Sequence, residues 1–68
     1  MVYVFEFFAE KGEERHAIDR VTYRAKSVNA ARDQAKAMLK NVKVRDQRPN
    51  LCVIKDQMGN TLGEVANG

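Results

Sequence analysis

Residues 28–42, VNAARDQAKAMLKNV, decide the fold. Val28, Ala31, Ala35, Met38, Leu39 and Val42 recur at three- and four-residue steps, which places them on one stripe of a 3.6-residue helix. Ser27 is the candidate N-cap, because its hydroxyl can accept a hydrogen bond from a free N–H of the first turn. Asn29 is the alternative cap, and Ala30 leaves the capping box incomplete. Small alanines at 31 and 35 allow a close approach to whatever lies beneath, while Met38 and Leu39 fill a wider end. The stripe needs a sheet to lie on, and both flanks of the helix supply strands.

Upstream, residues 2–9 are rich in β-branched and aromatic side chains. Alternation puts Tyr3, Phe5 and Phe7 on one face and Val2, Val4, Glu6 and Phe8 on the other, so both faces are mostly apolar and the strand belongs in the middle of a sheet. The polar run 10–14 reads as a hairpin loop with Gly12 at a positive φ. From about His16 to Lys26 a second strand sets Ala17, Val21, Tyr23 and Ala25 on one parity and Arg20, Thr22, Arg24 and Lys26 on the other. Asp19 and Ile18 break that alternation, which predicts a bulge near 17–19.

Downstream, residues 44–50 are polar and contain Pro49, so they read as a connecting loop. Leu51-Cys52-Val53-Ile54-Lys55 is a short apolar strand, and Asp56-Gln57-Met58-Gly59 suits a type I turn followed by a G1 bulge at Gly59. Thr61 to Val65 then returns antiparallel, and 66–68 reads as a fraying tail. The order ββαββ fills residues 1–68 as a single small α+β domain, with a four-stranded antiparallel sheet and one helix packed on one face.

A domain of 68 residues buries only about 60% of the surface that its unfolded chain exposes, so its stability is expected to be marginal. Cys52 is the only cysteine and His16 the only histidine, so neither an internal disulfide nor a metal site is expected, and self-association is the remaining device. No cofactor is expected either, because Gly59 and Gly63 flank a hairpin and do not open a helix onto a phosphate. His16 and Asp19 lack a converging third group, and Cys52 sits among apolar residues that do not favour a thiolate; the chain is read as non-enzymatic. No basic segment precedes Val-Tyr-Val-Phe-Glu, and no apolar run approaches the roughly 18 residues of a membrane span, so a cytoplasmic protein is expected.

The net charge of +3 is unevenly spread. Residues 15–48 hold ten bases and three acids, while both ends are net acidic. On the helix, Arg32, Lys36, Lys40 and Lys43 follow at steps of four, four and three, a line about 16 Å long by the helical rise. Such a line is an ordinary solvated face or a track for an anionic partner. Arg20 and Arg24 head a second basic row, on the strand face turned away from the helix, where Phe8 or Tyr3 would place an aromatic plane beside charge.

One helix covers one face only. Val2, Val4 and Phe8, with either Leu51 and Val53 or Cys52 and Ile54, are therefore expected on the far face and in need of cover. A homodimer formed by sheet-to-sheet packing or by edge pairing would supply it. The reading that emerges is a non-enzymatic interaction module that self-associates through its sheet and meets an unidentified protein partner through its basic middle. The alternative is a sequence-independent nucleic-acid-binding domain using the helix cations.

Overall fold

A computed structural model describes residues 1–41 and 48–67. Two long strands, β1 (Val2–Lys11) and β2 (Glu14–Arg24), form a hairpin that precedes α1 (Val28–Asn41), and β3 (Leu51–Lys55) and β4 (Thr61–Ala66) form a second hairpin after it. All pairings are antiparallel and the sheet order is β2-β1-β3-β4, which puts the aromatic-rich β1 and the apolar β3 at the centre. This is the α+β, ββαββ architecture expected from the sequence. Among the described residues no helix is long and apolar enough to cross a membrane.

The first loop is shorter than the polar run suggested. Lys11 pairs with Glu14, so only Gly12 and Glu13 make the turn, and Gly12 takes φ 62° as the first central residue of a primed hairpin requires. The expected irregularity lies where Phe7 pairs with Asp19 and Phe8 with Ala17, leaving Ile18 as the extra residue. The bulge moves Ala17 onto the parity of Phe8, away from that of Val21 and Tyr23.

The helix begins as its cap dictates. Ser27 Oγ accepts from Ala30 N–H at 3.2 Å, and the Ser27 carbonyl accepts the first intrahelical bond from Ala31 N–H at 3.0 Å. Ala31, Ala35 and Leu39 are buried against Tyr3, Phe5, Phe7, Cys52, Ile54 and Val65, with Val28 and Met38 at the margin. Val42, expected to complete the stripe, lies outside the described residues. Tyr23 stacks on Phe5 at 5.4 Å between ring centroids and extends this core to β2.

The β3–β4 hairpin turns as expected, with Gly59 at φ 90° and its N–H donating to the Asp56 carbonyl at 3.2 Å. One extra residue, Leu62, follows, since Ile54 pairs with Gly63 but Lys55 with Thr61. Ala66 and Asn67 correct the expectation of a frayed tail, and Gly68 lies outside the described residues. Ala66 pairs with Leu51, and Asn67 donates its N–H to the Asn50 carbonyl at 2.9 Å. Asn50 is itself a clamp: its Oδ1 accepts from Glu10 N–H and its Nδ2 donates to the Glu10 carbonyl, both at 2.7 Å. The side-chain amide continues the β1–β3 ladder past the end of β3, beside a buried Pro49.

Candidate partner interface

The two basic rows occupy different places. Arg32, Lys36 and Lys40 are exposed on one flank of α1, and Lys43 lies outside the described residues. This flank runs along β4. The Arg32 guanidinium lies over Gly63, with Nη1 3.0 Å from where a Cβ would stand, and Asn67 Nδ2 donates to the Leu39 carbonyl at 3.4 Å further along. Lys36 and Lys40 follow Arg32 on that flank at helical spacing, about 12 Å from first to last. Arg48 adds a cation beside them by donating to the Lys40 carbonyl at 3.0 Å, where the helix dipole favours positive charge.

Arg20 and Arg24 sit at the opposite edge and on the opposite face, in register with Glu6 and Val2 of β1. The structure does not bring the rows together, and no single flat partner meets both. No aromatic plane lies beside the helix cations either. Tyr3 is buried in the helix-side core, and Phe8 is on the far face beneath Arg15, whose Cζ is 5.5 Å from the ring centroid.

Pairing separates the cations further. Among the described residues the ion pairs of lysine and arginine are Arg15 with Glu10 at 2.9 Å, Arg15 with Glu64 at 3.9 Å and Lys55 with Glu6 at 2.8 Å. Arg32, Lys36, Lys40, Arg20 and Arg24 have none among these residues, and Asp33, three residues before Lys36, is not paired with it.

The far face departs from the expectation of exposed apolar side chains. Val4 is 6% exposed, and Val2 and Phe8 are half-buried within one chain. Register settles the parity of β3: Cys52 and Ile54 join the helix-side core, and Leu51 and Val53 lie on the far face, also buried. Their cover is ionic. Lys55 is opposite Val4 and Glu6 is opposite Val53, so the 2.8 Å Lys55–Glu6 bridge crosses the diagonal between the two valines. Arg15 on one edge strand passes over Phe8 and reaches Glu64 on the other edge strand, strapping the face. The strap and the Asn50 clamp were not found from sequence. Both depend on which strands neighbour each other, which local periodicity does not specify.

Burial pushes the Cys52 thiol up to about 12, which keeps it protonated and a poor nucleophile. The described residues enclose no cavity and contain no cluster of three metal-ligating side chains. No protein-family model matches the chain, and no curated protein or solved structure is significantly similar to it.

Proposed function

We propose that the protein is a non-enzymatic interaction module whose contact surface is the cationic flank of α1 above β4, and that its partner is an acidic protein. The observation that carries this reading is that Arg32, Lys36 and Lys40 stand in one row without acidic partners among the described residues, whereas Arg15 and Lys55, the cations laid over Phe8 and the valines of the far face, are paired; Arg20 and Arg24, also without acidic partners, stand apart at the other edge. Charge left unpaired in a row costs stability through self-repulsion unless something opposite meets it. A single cysteine, without a partner in this sequence for a disulfide, accords with a reducing compartment such as the cytoplasm.

A protein partner is favoured over nucleic acid for two reasons. Three cations release counterions from only about three phosphates, which is weak sequence-independent binding. Bases would also find no aromatic platform beside them, because Tyr3 is internal and Phe8 is on the other face. The homodimer through the sheet face is the weaker reading, since the side chains it was to cover are already covered by Lys55–Glu6 and Arg15–Glu64.

The test is fluorescence anisotropy with a labelled oligoglutamate peptide and a mixed-sequence DNA duplex, against the wild type and the double variant Lys36→Glu/Lys40→Glu. Peptide binding at low salt that falls at least tenfold in the variant is the expected result. Peptide affinity unchanged by charge reversal overturns the reading. Duplex binding that exceeds peptide binding and falls about 40-fold between 50 and 200 mM salt, as three released counterions require, replaces it with nucleic-acid binding.

A further inference from the structure

The two edges of the sheet are protected unequally. Along β2 stand Arg15, Asp19, Arg20 and Arg24, with the Ile18 bulge among them, and charges and bulges are the common devices that stop another strand from pairing. Along β4, from Thr61 to Ala66, the only charged residue is Glu64, and the bulge at Leu62 is confined to the turn end. Residues 63–66 form a regular edge with no strand beyond it among the described residues. Over this edge runs the cationic flank of α1, with the Arg32 guanidinium laid against Gly63, where the missing Cβ leaves it room.

We infer that the acidic partner adds to the outer edge of β4 as a fifth strand, with acidic side chains at alternate positions beneath Arg32, Lys36 and Lys40. This rests on the reading above and specifies how the partner is held. An added strand gains main-chain hydrogen bonds from the open edge, and its side chains alternate between the two faces of the sheet. On the helix side they meet cations. On the other side they meet Ala66 and Glu64, whose carboxylate already faces Arg15 at 3.9 Å, so no free cation awaits a second carboxylate there and the matching sequence alternates acidic with neutral residues. A second copy of this chain does not fit the same edge. Pairing β4 with its own copy about a two-fold axis brings two cationic flanks together and sets Glu64 near its counterpart.

The experiment titrates isotope-labelled full-length protein with acetyl-Glu-Thr-Glu-Val-Glu-Thr-Glu-amide and follows the amide signals. Three control peptides accompany it: one of the same composition with its acids grouped at one end, and two N-methylated on odd or on even residues. A strand on β4 gives shifts and slowed exchange at residues 63–66. One N-methylated peptide, the one whose blocked amides face the edge, loses at least tenfold in affinity and the other does not; the grouped peptide also binds more weakly. Equal binding of both N-methylated peptides, with shifts confined to α1, overturns the added strand and leaves the acidic-partner reading standing. Absence of binding by every peptide overturns both.

Discussion

On the helix side of the sheet Phe5, Cys52 and Ile54 are wholly buried beneath α1, whereas on the other side Val4 and Val53 are nearly as buried beneath an ion pair and a strap of long charged side chains. The same degree of burial has different physical value on the two faces. Under the helix, aromatic and aliphatic surfaces interlock with other apolar groups, and both the transfer and the packing terms are gained. Under Lys55–Glu6 and Arg15–Glu64, methylene stems shield the valines while the charged heads stay near water. Exposed ion pairs of that kind contribute at most about 1 kcal/mol each. The helix face should therefore hold the stability, and the strapped face should keep the chain from adhering to others.

The sharpest way to break this comparison is to delete one phenylalanine ring from each face. Phe5→Ala should cost about 3–5 kcal/mol, the range for a fully buried aromatic. A domain of this size has a total of roughly 3–10 kcal/mol, so that variant sits at the edge of folding. Phe8→Ala, on a half-buried ring under Arg15, should cost about 1–2 kcal/mol from partial burial and a lost cation–π contact. Urea denaturation followed by circular dichroism measures both. Equal losses would mean that the strapped face is a second core in its own right.

A smaller effect on stability, but a qualitative one on behaviour, is expected from removing the cover itself. Arg15→Ala with Lys55→Ala should cost about 1–2 kcal/mol in total, since the Arg15 pairs are exposed and the Lys55–Glu6 pair is only partly buried. It should also bare Phe8, Leu51, Val4 and Val53 as one apolar patch, and such patches mark association surfaces. Sedimentation of the double variant should show concentration-dependent dimers. A variant that sediments unchanged from the wild type shows that the strap is not what covers this face.

The legibility of the molecule in its sequence follows the same division. Local periodicity carried the helix stripe, the Ser27 cap, the central character of β1 and the Gly59 turn, because each is a property of residues close together along the chain. The bulge also announced itself, through the broken alternation at Ile18 and Asp19. Strand order did not, and everything that depends on it stayed hidden. Arg15 reads as one more surface cation until β2 and β4 are known to be the two edges of one sheet. Val4 reads as exposed until Lys55 is known to stand opposite it. Asn50 reads as a loop residue until Glu10 is beside it. The candidate site was half legible, since the helix cations were evident from spacing while their position above an open edge was not.

The smallest expected effect tests the turn that decides which residues of the second hairpin go to which face. A slip of one residue there would exchange Cys52 and Ile54 with Leu51 and Val53. Asp56 holds the turn. Its carboxylate accepts from the Asn60 side chain at 3.0 Å, from Asn60 N–H at 2.9 Å and from Met58 N–H at 2.9 Å, and these bonds, the Asn60 side chain foremost, hold its pKa below the ordinary carboxylate value. Because the folded value is the depressed one, the contribution to stability is present above the unfolded-chain pKa and is lost as pH falls through the folded value. Amide shifts of Met58 and Asn60, followed from about pH 6 to pH 2, should therefore titrate with a midpoint below the usual value of about 3.9. Weakening Asn60 should therefore remove part of that contribution at neutral pH, where the carboxylate is charged, and should matter less once the pH has fallen below the folded value. A midpoint at the ordinary value would show that the carboxylate does not hold the turn, and register would then have to come from the sheet faces alone.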